Sequence, residues 1–132
     1  MREELVEAVL QVAALVPAGK VLSYGDIAEL LGTAGPRQVG RVLALHGAAV
    51  PWWRIVRADG SLPAALVQQA REHYRLEGTE LVVPSGPART MLPRVRMSVA
   101  RWMPGERDFE RIESISAALG AKLSAATGGM DA

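Results

Sequence analysis

Two short helical patterns, separated by a glycine-containing turn, limit the folds open to this 132-residue chain. Ser23 has capping-box spacing to Asp26, and Gly32 is expected to end the helix that begins there. Pro36 lies where the first residue of the next helix is expected, and that helix is predicted to run to about Leu45. Two short helices joined in this way are typical of a helix-turn-helix.

A β hairpin is predicted after the second of these helices. Ile55-Val56-Arg57 reads as a short strand, Ala58-Asp59-Gly60 as a turn, and Ser61-Leu62 as the start of a return strand. A helix-turn-helix followed by a hairpin is the order of elements in a winged helix. With further helices predicted from Glu3 to Val16 and from Ala64 to Glu77, the fold class is mainly α with a small β hairpin.

A Pro-Ser-Gly-Pro break at residues 84–87 divides the chain. We therefore predict a winged-helix domain over residues 1–84 and a C-terminal extension over 85–132, made of a basic loop, one amphipathic helix and a frayed end. Packing on the domain is the default expectation for that helix, and a dimer contact or a partner-docking surface are the alternatives. Its apolar residues recur at helical spacing: Phe109, Ile112, Ile115, Leu119 and Leu123.

Composition excludes several kinds of site. The sequence has no cysteine, which excludes disulfides, thiolate zinc sites and a cysteine nucleophile, and its two histidines lie far apart. No metal and no cofactor are therefore expected. No apolar run is long enough to span a membrane, and the acidic start is unlike a secretory signal, so the expected location is cytoplasmic.

Arginine is clustered although the net charge is only +1. One acid-free run, between Glu29 and Asp59, contains Arg37, Arg41, Arg54 and Arg57, and a second, from Leu81 to Gly105, contains Arg89, Arg94, Arg96 and Arg101. Such clusters indicate a local anionic partner, and the alternative is an ordinary solvated face.

The predicted third helix has two distinct faces at 100° per residue. Its core face is expected to hold Val39, Val42, Leu43 and His46. Its other face offers Arg37 and Arg41 beside the small residues Gly40 and Ala44, which would let the backbone lie close to DNA while the guanidiniums contact phosphates.

Four blocks, in order and at approximately matching spacing over residues 5–83, resemble the O6-alkylguanine-DNA alkyltransferases. The blocks are Val16 to Ala28 (family pattern IPxGKVxTYGxIA), Pro36 to Gly40 (ARxVG), Pro51 to Val56 (PCHRV) and Leu76 to Gly78 (the end of LxxEG). The resemblance implies a winged helix-turn-helix DNA-binding domain like the C-terminal domain of those enzymes.

One departure from the family pattern decides the predicted function. Trp52 stands at the position of the cysteine that accepts the alkyl group, and Trp53 at that of the neighbouring histidine. An indole cannot replace a thiolate nucleophile, so no enzyme activity is expected. Tryptophan in place of that cysteine is the mark of the alkyltransferase-like proteins, which recognise O6-alkylguanine in DNA and are understood to flag it for nucleotide excision repair. Most of them read Pro-Trp-His-Arg, so Trp53 is a further departure.

The resemblance also implies a role for each matching residue on the DNA face. Tyr24 matches the tyrosine that crowds the 3′ phosphate and drives base flipping, and Arg37 matches the arginine that fills the vacated place. Gln38, Gly40 and Arg41 belong to the same DNA-binding helix.

A second set of residues is implied for the lesion pocket. Trp52, Trp53 and Arg54 are assigned to it, although whether Trp53 faces the pocket or the core is left open. Glu77 matches the buried glutamate that orients the histidine of the enzymes, and a structural role is expected for it here. His46 falls near the asparagine that braces the active-site turn.

The expected partners are double-stranded DNA containing O6-alkylguanine and nucleotide excision repair proteins, with nucleoid association when bound to DNA and no membrane. Two other functions fit the same residues. A winged-helix transcription regulator would read bases with Arg37, Gln38 and Arg41 and would usually need a dimer. A protein-interaction module on a degenerate scaffold would use both tryptophans as core or interface.

Overall fold

A computed structural model of the chain describes residues 2–82, 86 and 92–128. The helices are α1 (Glu3–Leu15), α2 (Tyr24–Leu31), α3 (Pro36–His46), α4 (Ala64–Glu77), α5 (Met97–Ala100) and α6 (Glu106–Gly128). The strands are β1 (Leu22–Ser23), β2 (Ile55–Val56), β3 (Leu81–Val82) and β4 (Arg94–Val95), and single 3₁₀ turns cover Gly47–Ala49 and Trp52–Arg54. Among the described helices, none is both long and apolar enough to cross a membrane.

The helix-turn-helix forms as predicted, because each of its ends carries a local signal. The Ser23 hydroxyl accepts a hydrogen bond from the Asp26 amide, and the Asp26 carboxylate accepts one from the Ser23 amide, which completes the capping box of α2. Gly32 ends α2 in the left-handed conformation at φ +70°. Pro36 then opens α3, so the mainly helical fold class is confirmed.

The predicted pairing of the hairpin is wrong. The turn at Ala58-Asp59-Gly60 forms, but no return strand follows at Ser61-Leu62, and β2 pairs in parallel with β1 instead. Both residues of each of these strands are buried, unlike the alternating pattern of a half-exposed hairpin. The far side of the turn is occupied by β4: Val95 donates to the Gly60 carbonyl, and a Cβ at Gly60 would lie 2.1 Å from the Val95 carbonyl oxygen.

The last helix packs on the domain, as in the default expectation. Ile112 and Leu119 are buried with residues of α1, α2 and α3 in the main core, and the Ser116 hydroxyl donates to the Leu31 carbonyl. Phe109 is 44% exposed and lies outside this core. The helix continues to Gly128, past the predicted start of a frayed end at Ala125, and residues 129–132 lie outside the described part of the chain.

A smaller core lies beneath α4, and the side chains of Trp52 and Trp53 pack against it. It joins the buried side chains of Val56, Leu62, Val67, Tyr74 and Val95. The second pair of strands, β3 and β4, runs antiparallel beside it. The predicted break at residues 84–87 lies, except for Gly86, outside the described residues.

Candidate nucleic-acid interface

A cavity of about 240 Å³ lies between α3, the Trp52 turn and the start of α4. No side chain that lines it carries a formal charge, and its polar side-chain groups are the Tyr24 phenol, the Gln69 amide and the Trp52 indole N–H. The lining residues are Tyr24, Gly40, Leu43, Ala44, Gly47, Ala48, Trp52, Leu62, Pro63, Leu66 and Gln69. Size and lining suit a flat, largely apolar ligand.

The exposed face of α3 borders this cavity. Arg37 and Arg41 are both exposed, one turn apart, and within residues 2–82, 86 and 92–128 neither has a hydrogen bond or ion pair to another side chain. Gly40 and Ala44, which share their face, line the cavity. The expected core residues of α3 are buried except His46, which is exposed because the helix ends there.

Gln38 is placed differently from the two arginines. Its side-chain oxygen accepts a hydrogen bond of 3.0 Å from the Gly35 amide, and so caps the start of α3. It borders a separate cavity with Leu5 of α1 and Leu123 of α6 rather than the one lined by Trp52.

Tyr24 stands at the junction of α2 and the cavity. Its ring lies against Gly40, where an added Cβ would come within 3.5 Å of the ring carbons, an ordinary contact distance. Burial raises the pKa of Tyr24, and the nearby Arg57 guanidinium offsets part of that rise. The phenol is therefore neutral over the whole physiological pH range.

The two adjacent tryptophans point into different surroundings. Trp52 lines the cavity, whereas Trp53 does not. The Trp53 indole stacks on the His73 imidazole, with ring centroids 3.5 Å apart and planes 7° from parallel. Its Nε1 donates to the Glu77 Oε1 at 3.0 Å. Trp53 thus packs against α4, which sequence reasoning left open.

Arg54, assigned to the pocket from the sequence, also lies outside the cavity lining. Its Nε and Nη2 donate to the Glu77 carboxylate, and its Nη1 donates to the Val16 carbonyl at 2.9 Å. The guanidinium carbon is 5.6 Å from the centre of the Trp53 ring. These contacts fasten the Trp52 turn to α4 and to the end of α1.

Glu77 is the centre of this arrangement. Burial would raise the pKa of its carboxyl, but hydrogen bonds from Arg54, the Gly19 amide and Trp53 together outweigh burial and lower the pKa. The carboxylate is therefore held ionised. The expected structural role of Glu77 agrees with this geometry.

In the second arginine-rich run, the three described arginines lie near acidic side chains, and Arg89 lies outside the described residues. Arg96 pairs with Glu80, and Arg101 pairs with Asp26 at 3.2 Å. Arg94 lies near Asp59, whose pKa its charge helps to lower after the larger effect of hydrogen bonds from Ser61. These acids lie outside the run in the sequence, so its acid-free stretch did not reveal the contacts of Arg94, Arg96 and Arg101.

Sequence reasoning missed the wall that α4 contributes to the cavity. Leu66 and Gln69 line it, and their three-residue spacing on one helical face was the available signal. In the described part of the chain, no three His, Asp or Glu side chains come together as a metal site.

Comparison with known proteins places the chain in a family. The model of the 6-O-methylguanine DNA methyltransferase DNA-binding domain matches residues 4–79. A DNA base-flipping protein of Escherichia coli strain K12 is 39% identical over 93 residues, which cover 67% of this chain and 70% of that protein. Alkyltransferase-like protein 1 of Schizosaccharomyces pombe is 34% identical over 73 residues, covering 50% of this chain and 68% of that protein.

Nearly the whole of one solved structure matches the fold of this chain. The crystal structure of S. pombe Atl1 in complex with damaged DNA containing O6-carboxymethylguanine has a TM-score of 0.68 and 25% identity, and covers 79% of this chain and 99% of that chain. With Trp52 where the enzymes have cysteine, this chain belongs to the alkyltransferase-like branch of the 6-O-methylguanine DNA methyltransferase DNA-binding domain family.

Proposed function

We propose that this protein is a non-enzymatic DNA damage sensor that rotates O6-alkylguanine out of the duplex and holds it without transferring the alkyl group. The observation that carries the proposal is the uncharged cavity walled by Trp52, which lies beside the α3 face with Arg37 and Arg41. A base rotated out of the duplex can stack on a flat apolar side chain such as Trp52. The phosphates of the duplex bind cationic side chains nearby.

The flipping step uses residues on both sides of the cavity. Tyr24 is a neutral group against Gly40, where it can crowd the phosphate 3′ to the lesion without charge repulsion. Arg37 lies one turn before Gly40 and is free to enter the stack in place of the rotated base. Unstacking costs a few kcal/mol, and less for a damaged pair, so the lesion itself favours the flipped state.

Binding after rotation rests on Trp52 and on phosphate contacts. The Trp52 indole packs against the base or its alkyl group, and base–aromatic stacking contributes about 1–3 kcal/mol. Arg41 contributes affinity that does not depend on sequence. Gln38 keeps its amide nitrogen for a contact to the DNA backbone, since its oxygen caps α3.

The chemistry of the site leaves the alkyl group on the base. Position 52 offers no nucleophile, and the indole N–H at position 53 is bonded to Glu77, so the alkyl group stays on the base. The named relatives are base-flipping and alkyltransferase-like proteins, which supports this assignment. We propose nucleotide excision repair as the system that removes the marked nucleotide.

The test is competition binding with two duplexes that differ by one O6-methylguanine, with 2-aminopurine beside the lesion to report unstacking. The lesion duplex should compete at lower concentration and show increased 2-aminopurine fluorescence. Equal competition, together with preference for one undamaged sequence, would support the transcription-regulator alternative and overturn the sensor.

Nucleotide excision is tested separately. A lesion plasmid in a cell extract should receive more excision-length repair patches when the protein is added. An unchanged patch yield, with lesion binding intact, would overturn only the proposed coupling to excision repair.

A further inference from the structure

We propose that Trp53 and His73 form a positioning pair that holds the Trp52 indole in place as the wall of the cavity. The inference rests on the proposed function, since it concerns the same pocket. Trp52 meets Trp53 edge-on, at 5.7 Å between ring centroids and 86° between planes. It meets His73 in the same manner, at 6.2 Å and 79°.

The pair contacts Trp52 from outside the cavity. Neither Trp53 nor His73 lines the cavity, so both touch the indole from outside it. Edge-to-face contacts are the favoured geometry for aromatic rings and oppose rotation of either ring. Trp52 itself is only half-buried, and the Gly47 beside it contributes no side chain to restrain it.

The pair is itself fixed to α4 at several atoms. The Trp53 indole N–H is bonded to Glu77, and its backbone carbonyl accepts a hydrogen bond from the Tyr74 hydroxyl. His73, Tyr74 and Glu77 belong to the same helix. Three residues of one rigid element therefore set the position of Trp53, which in turn sets that of Trp52.

This arrangement gives the unusual tryptophan at position 53 a function. Its ring lies almost parallel to that of His73, and Trp52 lies beside the stack, where the edges of both rings are turned toward it. If the Trp52 indole is already held in its binding position, it loses less conformational entropy when the base binds. The pair therefore acts on lesion preference through Trp52, without contact to DNA.

The experiment compares His73→Ala, which removes the stacked ring, with His73→Phe, which keeps a flat ring at that position. Gln68→Ala, at an exposed position of the same helix, is the matched control. Affinities for lesion and undamaged duplexes are measured together with the melting temperature. His73→Ala should reduce lesion preference roughly two- to tenfold, with undamaged-duplex affinity unchanged, and His73→Phe should restore most of it.

Incorporation of 5-fluorotryptophan gives a readout that needs no DNA. The Trp52 fluorine resonance, assigned with Trp52→Phe, should shift and narrow in His73→Ala and return in His73→Phe. An unmoved resonance, or a His73→Ala protein with full lesion preference, would overturn the inference. Loss of both affinities in step with the melting temperature would also overturn it. If the unmodified protein shows no lesion preference but the Trp52 resonance still shifts in His73→Ala, the proposed function is wrong.

Discussion

Arg54 and Glu77 form a two-bonded ion pair in which the side chains are only 18% and 12% exposed. The pair joins the turn that carries both tryptophans to the last residue of α4. Because Glu77 also binds the Gly19 amide and the Trp53 indole, one carboxylate connects three separate segments of the chain.

Loss of this carboxylate should destabilise the fold. Glu77→Gln leaves the Arg54 charge largely buried without its counter-ion, which we expect to cost about 3 kcal/mol of unfolding free energy. The exposed pair of Glu72 and Arg75 provides the control, and Glu72→Gln should change the melting temperature little. Urea unfolding of both variants measures the difference, and equal stability of the two would contradict the expectation.

The same pair predicts acid sensitivity. The pKa of Glu77 is lower in the folded protein than its ordinary value of 4.5, so its contribution is complete above pH 4.5 and is lost as the pH falls below that value. Melting temperature is measured from pH 7 to pH 3 for the protein and for Glu77→Gln. The gap between the two curves should be constant down to about pH 5 and narrow below it. A constant gap at all pH values would show that ionisation of Glu77 is not involved.

Trp52→Ala should cost lesion binding more than undamaged binding. A lost stacking contact of about 1–3 kcal/mol corresponds to roughly five- to 150-fold in lesion affinity. Trp52 is half-buried and borders a cavity, so the melting temperature should fall less than for a fully enclosed tryptophan. Both affinities and the melting temperature are measured on one variant. A folded Trp52→Ala protein that keeps the full preference for O6-methylguanine would contradict the assignment of Trp52 to the lesion pocket.

Arg37 and Arg41 should have separable effects although they share one face of α3. Arg37→Ala should reduce lesion discrimination, because an unfilled gap leaves the duplex unstacked beside the rotated base. Arg41→Ala should weaken both duplexes alike and lower the slope of log affinity against log salt by about one. Arg111→Ala, at an exposed position of α6, is the control. Equal loss of discrimination in both α3 variants would mean that Arg37 is only another phosphate contact.

Restoring a thiol should not restore an efficient enzyme. Trp52→Cys supplies a nucleophile, but the group at position 53 is an indole that donates to Glu77 and cannot accept a proton. Adding Trp53→His supplies a base beside Glu77, so the double variant should acquire label from O6-methylguanine DNA faster than the single one. Equal labelling of the two would show that activation does not pass through position 53.

Local signals explain which parts of the fold the sequence predicted. Capping residues at Ser23 and Asp26, the glycine stop at Gly32 and the proline at position 36 lie within a few residues of the ends they set. The pairing of β2 with β1 depends on burial against distant segments, which a local turn pattern at 58–60 does not contain. That is why the turn was predicted correctly and the return strand was not.

The site shows the same difference between features set by local sequence and features set by the folded arrangement. Gly40 and Ala44 were placed on the right face of α3 from helical periodicity alone, and the structure finds both at the cavity. Trp53 and Arg54 were grouped with Trp52 because they are adjacent in sequence. In a 3₁₀ turn, successive side chains point about 120° apart, so neighbours in sequence face different surroundings.

The uncharged lining of the cavity predicts which adducts bind best. An alkyl group such as propyl can be buried there, whereas a carboxymethyl group of similar size would bring a carboxylate against apolar walls with no cation among the lining residues. We expect O6-propylguanine duplexes to bind about tenfold more tightly than O6-carboxymethylguanine duplexes, equivalent to about 1.4 kcal/mol. Competition at fixed salt measures the ratio, since salt screens the charge. Gln69→Lys, which places a cation on the polar side of the cavity, should narrow the ratio, and Gln69→Leu should not. Equal affinity for the two adducts, or a ratio that Gln69→Lys leaves unchanged, would show that the substituent stays in solvent when the base is bound.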